Sequence, residues 1–201
     1  DMAIDGDWAF IGAWADDNNG YTNVGKVYRY NKVGGLWVYT PPDLYCPNPS
    51  SYDQFGVSIE IVDGMAFIGA LGDNAGNGGG SGTVFHYLVT SPGNLSYVCP
   101  VYPPSAMGHD ANDNFGADIG CFDSTLVVSA YMDDNGGSAY IFRPGSGGWD
   151  CVQKITGSDT QVGDGWGEGI DIDDGVIISG SFFDDTPTLT QPGSAYAYTQ
   201  D

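Results

Sequence analysis

Aspartate dominates the reactive side chains of this sequence. The 26 acidic residues comprise 24 Asp and only 2 Glu, Glu60 and Glu168, against 5 Lys and Arg. The Asp residues gather in two kinds of short segment. One kind holds Asp16-Asp17-Asn18-Asn19-Gly20, Asp73-Asn74, Asp133-Asp134-Asn135-Gly136 and Asp184-Asp185. The other holds Asp53, Asp110 with Asp113, and Asp159 with Asp164. Carboxylate oxygens from several such loops suit a hard cation, so Ca²⁺ is the candidate ligand. The candidate metal set is Asp16, Asp17, Asp133, Asp134, Asp184 and Asp185. The alternative is that Asp, Asn and Gly make turns here and that the acidity serves solubility.

Catalysis finds little support. Paired carboxylates abound, as a glycosidase needs, but Asp-Asp neighbours recur along the chain, which fits a structural role better than a unique site. His109, in Met107-Gly108-His109-Asp110, has no counterpart elsewhere and reads as a surface loop residue. The sequence shows no Ser/His/Asp arrangement, phosphate loop or dinucleotide motif, and the Gly-rich stretch 76–82 is followed by no helix. No enzymatic activity and no catalytic residue is expected.

The four cysteines, Cys46, Cys99, Cys121 and Cys151, form no CxxC pair, and His86 and His109 lie far apart, which argues against a zinc site. Cysteines in an acidic, Lys-poor, Tyr-rich chain suit an oxidising, extracellular setting in which they form disulfides. Three connectivities are open, though Cys46 and Cys99 occupy equivalent places and are not expected to pair. Asn94-Leu95-Ser96 is an acceptor sequon for N-glycosylation, whereas Asn48-Pro49-Ser50 is not.

A formal charge of −21 excludes nucleic acid as a partner and disfavours an anionic membrane surface. No apolar run approaches the ~18 residues of a membrane span. Good helix formers are scarce, while Gly (32 residues), Asp, Tyr and Val are plentiful, which argues for β structure.

The elements that must position the aspartates repeat. Asp53-Gln-Phe-Gly-Val-Ser-Ile-Glu-Ile-Val-Asp-Gly-Met-Ala-Phe-Ile-Gly-Ala70 aligns without gaps with residues 113–130 and 164–181, and Met2–Ala13 is a fourth copy without its beginning. Each copy is followed by a related element: Gly25–Tyr30, Gly82–Tyr87, Gly137–Phe142 and Gly193–Tyr198. Segments around Trp37, Tyr97 and Trp149 close the first three units. Each unit reads as four antiparallel strands, with an Asp-Gly hairpin such as Asp63-Gly64 between the first two. Short strands in units of roughly 50 residues indicate propeller blades. Recurrence of Phe55, Phe115 and Trp166, and of Tyr28, Phe85, Tyr140 and Tyr196, points to inter-blade packing. Trp14, Tyr131 and Phe182, beside the acidic loops, offer faces on which a sugar could stack.

Phe-Gly, an alternating strand, Ile-Gly-Ala and an acidic loop together resemble the FG-GAP repeat, which includes the propeller of integrin α-subunits. The resemblance covers nearly the whole chain. It implies an all-β, propeller-like array of four four-stranded antiparallel blades, the first and last incomplete, in one domain over residues 1–201. The units run over about 1–52, 53–112, 113–163 and 164–201. It also implies an extracellular or cell-surface adhesion or structural module, partnered by itself or by other extracellular proteins. A carbohydrate-binding module, with glycans as partners, is the alternative. Two departures stand out. The turn Val62-Asp63-Gly64 is too short for the calcium loop of integrin blades, and the Pro of Gly-Ala-Pro is replaced by Trp14, Leu71, Tyr131 and Phe182. The fourth unit lacks its last strand, so a longer chain or a neighbouring subunit is expected to complete that sheet along the Ser194–Tyr198 edge, with a filament favoured over a ring.

Overall fold

The computed structural model describes residues 1–74, 78–90, 93–185 and 192–199. Four antiparallel sheets follow one another along the chain. Blade one holds β1 (Met2–Asp5), β2 (Trp8–Ala13), β3 (Lys26–Val33), β4 (Leu36–Tyr39) and β5 (Leu44–Tyr45). Here β4 and β5 both pair with β3 and act as one outer strand interrupted at Pro41-Pro42. Blade two holds β6 (Phe55–Val62), β7 (Met65–Ala70), β8 (Thr83–Thr90) and β9 (Asn94–Val101). Blade three holds β10 (Phe115–Phe122), β11 (Thr125–Ala130), β12 (Ser138–Gly145) and β13 (Gly148–Ile155). Blade four holds β14 (Trp166–Asp173), β15 (Val176–Ser181) and β16 (Ser194–Thr199). The only helical elements among the described residues are two short 3-10 turns, Ser105–Met107 and Asp133–Asn135. The propeller-like array read from the repeats is the fold, with a short first strand and three strands in the last sheet.

Local chemistry explains these elements. Strand two is mostly apolar, its polar residues being Thr125 and Ser129 in blade three and Ser179 and Ser181 in blade four, and in blades two and three it is buried on both faces apart from Met65 at its start. Asp63 and Gly64, like Asp174 and Gly175, both have positive φ, as a tight hairpin matched to strand twist requires. The Gly of each aromatic-Gly pair sits at φ 88–90° within a register shift of strand one against strand two. An L side chain at Gly56, Gly116 or Gly167 would be strained there, so the bulge demands glycine.

The blades pack in chain order, and the repeat motif is the junction itself. A Cβ on Gly12 would collide with the Gly56 carbonyl, and one on Gly69 with the Gly116 carbonyl. At the third junction Ser129 replaces the glycine, and a Cβ on Gly167 would rest 3.4 Å from its Cβ. The backbone N–H of Phe55, Phe115 and Trp166 donates across the junction to Val24, Ser81 and Gly136, at 2.9–3.0 Å. Around these contacts lie three apolar clusters. Phe10 and Val27 meet Phe55 and Ile59, Phe67 and Val84 meet Phe115 and Ile119, and Val127 and Ile141 meet Trp166 and Ile170.

Candidate functional site

Within each of blades two, three and four, the loop leaving strand two is tied to the loop entering strand one. The carbonyls of Asp53, Asp113 and Asp164 accept from the N–H of Gly72, Met132 and Phe183, at 3.1, 3.3 and 3.2 Å. The side chains of the same residues cap their own loops. Asp53 accepts from Ser50 N at 2.6 Å, Asp113 from Asp110 N at 2.5 Å and Asp164 from Gln161 N at 2.5 Å. All three are buried. Burial pushes the Asp113 carboxyl up, against the opposing bond from Asp110.

The aspartate three residues beyond each strand two forms a second set: Asp16, Asp73, Asp133 and Asp184. Their carbonyls accept from Gly25, Gly82, Gly137 and Gly193 at 2.8–3.2 Å. Their side chains turn to strand three or its surroundings. Asp133 accepts from the Tyr140 hydroxyl at 2.6 Å and pairs with Lys154 at 2.8 Å. Asp184 takes the Tyr196 hydroxyl at 2.9 Å, and Asp16 pairs with Lys26 at 3.1 Å. Burial works against the Lys154 charge, but its bonds to Asp133 and Asp134 hold its pKa above the ordinary lysine value.

Of the six candidate metal ligands, then, Asp16, Asp133 and Asp184 each serve their own blade. Asp17 accepts from Asn23 N at 2.8 Å, Asp134 reaches Lys154 at 2.7 Å, and Asp185 is exposed. Among the described residues a single group of three potential ligands lies together: Cys46, Asp53 and Asp73, all buried, with ligand atoms within 4.8 Å of one another. Sequence reasoning did not assemble it. Asp53 and Asp73 were visible as repeat positions, but Cys46 reaches them only through the path of the chain after β5. A thiol with two carboxylates suits a borderline ion such as Zn²⁺ better than Ca²⁺. Burial pushes the Cys46 thiol up to about 12, so it is held as a thiol. It lies 4.0 Å from Asp73 Oδ2, while Thr83 donates to Asp73 Oδ1 at 3.3 Å and Ser50 Oγ to Asp53 at 2.6 Å. The group is satisfied by the protein's own hydrogen bonds.

The four cysteines are free thiols, so the expected disulfides are not formed. Their settings differ: Cys99 lies 4.0 Å from His86 Nδ1, Cys151 lies 3.3 Å from Met107 Sδ, and Cys121 is buried on β10. Burial pushes Cys121 up to about 12 and Cys151 to about 11, which makes both poor nucleophiles. His109 is not a surface residue. It is fully buried between blades two and three, 2.9 Å from the Ser81 carbonyl and edge-on to Phe115 and Tyr140. Its apolar neighbours, not its loop sequence, decided its place. Asn94 opens β9, exposed, with its Oδ1 3.4 Å from a guanidinium nitrogen of the buried Arg29.

The recurrent aromatics Phe55, Phe85, Phe115, Tyr140 and Trp166 are core residues, and Tyr196 packs edge-on to Trp166. Trp14 and Phe182 are exposed. Phe182 joins Tyr131, Phe183, Asn135 and Glu168 in a groove of about 480 Å³ between the last two blades.

Residues 105–142 and 149–198 match the FG-GAP repeat family. No curated protein matches the chain. FG-GAP repeats are typical of extracellular and cell-surface, adhesion-type proteins, and those of integrins bind divalent cations. No helix among the described residues is long and apolar enough to cross a membrane. The aromatic-Gly bulge and the small residue it packs against recur at each of the three junctions, and the similarity to the FG-GAP repeat covers the last two blades.

Proposed function

We propose that this chain is a non-enzymatic, extracellular structural or adhesion module that assembles with itself or with a longer chain into a surface structure or filament. The observation that carries this reading is the match of the last two blades to the FG-GAP repeat, a repeat typical of extracellular, adhesion-type proteins. The fate of the recurrent loop aspartates supports the absence of enzymatic activity, because Asp53, Asp113 and Asp164 are spent on backbone N–H groups and Asp73, Asp133 and Asp184 on strand-three hydroxyls. Sedimentation over a wide concentration range tests the reading: concentration-dependent association is expected, and a strict monomer at every concentration would overturn it.

The groove of Tyr131, Phe182 and Phe183 supports a second reading, carbohydrate binding, since the exposed rings of Phe182 and Phe183 beside Asn135 and Glu168 suit stacking and hydroxyl recognition. Saturable binding on a glycan array would favour it over assembly. Calcium is the proposed cation of the acidic rim, where Asp17, Asp134 and Asp185 are exposed. Ca²⁺ would then raise the melting temperature over a chelator control at fixed ionic strength, and equal temperatures would exclude it. Asn94 is the proposed glycan acceptor.

A further inference from the structure

The junction between blades two and three collects the soft donor atoms of the chain. Cys121, Cys151, Met65 and Met107 belong to its apolar cluster. The Cys99 sulfur lies there too, against Gly148 of blade three, whose would-be Cβ would stand 3.0 Å from it. Among the described residues, the cluster between blades one and two has only Cys46, and the cluster between blades three and four has no sulfur. The sulfur-rich junction is internal, with blade one before it and blade four after it.

Within it one pair of side chains breaks the repeat. Phe67, His86 and Cys99 stand side by side on β7, β8 and β9. In blade three the register puts Val127, Ile141 and Gln153 in the same row. The His86 ring stacks on Phe67 with centroids 5.0 Å apart and lies edge-on to Trp149 of the next blade. His86 is 7 % exposed, yet its Nε2 has no hydrogen-bond partner, and its Nδ1 faces the Cys99 sulfur 4.0 Å away. Buried polar groups are as a rule hydrogen-bonded, whereas this imidazole has one orphaned nitrogen and one long contact. With its proton on Nε2, the ring turns the Nδ1 lone pair onto the sulfur.

We infer that Cys99 Sγ and His86 Nδ1 form a two-coordinate site for a soft monovalent metal ion, Cu(I). Spacing, donor type and charge each select that class. An ion with bonds of about 2.3 Å to sulfur and about 2.0 Å to nitrogen spans about 4.3 Å in line and about 3.5 Å at the tetrahedral angle. The observed 4.0 Å is too wide for a tetrahedral ion and suits one held between two donors at a wide angle. Soft thiolate ligands favour Cu(I), and imidazole suits copper. A monovalent ion on one thiolate and one neutral imidazole is neutral overall, as the walls of Phe67 and Trp149 require. A divalent ion would leave a buried positive charge unpaired. Burial holds the His86 pKa below and the Cys99 pKa above their usual values, so both groups are uncharged until the ion binds. The thiol proton then passes to solvent. Cys99 is half-buried on the outer strand of its sheet, which gives the ion access to the sulfur. The site stands apart from the assembly and carbohydrate readings and depends on neither.

Anaerobic titration of the whole chain with Cu(I), in competition with a chromophoric Cu(I) chelator, tests the site. One tightly bound equivalent is expected, and its X-ray absorption should show one sulfur and one nitrogen neighbour. Cys99→Ser should abolish that equivalent. His86→Phe, which keeps a ring stacked on Phe67, should weaken it by more than about tenfold, the loss that even an outer-shell partner causes at a metal site. Cys151→Ser should bind as wild type does, and Zn²⁺ at the same concentration should not displace the Cu(I). Circular dichroism matching wild type shows that each variant is folded. The absorption spectrum needs no variant: sulfur neighbours without a nitrogen would overturn the assignment by themselves. No tight equivalent in the wild type, its retention in Cys99→Ser, unchanged affinity in His86→Phe, loss in Cys151→Ser or displacement by Zn²⁺ would overturn it as well.

Discussion

Asp133 shows how a buried carboxylate is made tolerable in this fold. It lies beneath the rim with Tyr140 and Lys154 on the same oxygen, and the exposed Asp134 shares that lysine. Removing one partner of a buried, charge-assisted bond leaves the full desolvation cost of the carboxylate in place. Tyr140→Phe should therefore cost about 1–3 kcal/mol in urea unfolding. Phe85 occupies the equivalent position in blade two, and there Thr83 and Cys46 face the aspartate instead. Glu60 presents the opposite case. Burial first, then Asp171 on β14 and Asp118 on β10, raise its pKa to about 7. Between the unfolded value and about 7 the folded state holds a proton that the unfolded state releases, so stability falls as pH rises through this window. Glu60→Gln should stabilise the protein at pH 8 by about 1–2 kcal/mol, discounted for the part-exposed side chain, and should have little effect near pH 4. Chemical denaturation of both proteins at the two pH values checks the sign.

At the scale of the element, one glycine position separates a filled junction from an open one. Gly69→Ala would drive a methyl group into the Gly116 carbonyl, which must shift or break the packing of β7 on β10. A cost of about 2–4 kcal/mol is expected, typical of overpacking against backbone. Gly180→Ala meets no such obstacle and should leave thermal stability within about 0.5 kcal/mol of wild type, or raise it slightly. The same elements show what the sequence could and could not disclose. The strands were legible because the aromatic-Gly, alternating strand and Ile-Gly-Ala pattern recurs in frame, and a bulge that needs positive φ leaves a glycine behind. The trio Cys46, Asp53 and Asp73 was not legible, because it joins the end of one blade to two loops of the next. His109 was misjudged for a related reason: its loop folds inward over Phe115, and nothing local announces that. Composition alone pointed to disulfides, whereas the structure holds the four cysteines as free thiols. Cysteine positions said nothing of distance, and each sulfur lies among non-cysteine neighbours.

At the scale of the whole molecule, 26 acids against 5 bases make self-repulsion a term comparable to any single contact. Exposed like charges are screened by salt over about 8–10 Å at physiological strength. Raising monovalent salt from about 0.02 to 0.3 M should therefore raise the melting temperature by several degrees, and an unchanged midpoint would show that the rim charges are already locally compensated. The bonds between blades carry a further consequence. Asp1 and Asp118 each offer a carboxylate to the following blade, but at the aligned position in blade two Ser58 donates its hydroxyl to the Gly116 carbonyl at 2.7 Å. Acceptor, donor, acceptor is the sequence of these links along the array. The partner is in each case a backbone group of the next blade: the N–H of Ile59, the carbonyl of Gly116 and the N–H of Ile170. A protein built with its second and third units exchanged would set Ser58 instead of Asp118 beside the Ile170 N–H and so lose one carboxylate acceptor at that junction. Units that look alike are therefore not equivalent at this one position.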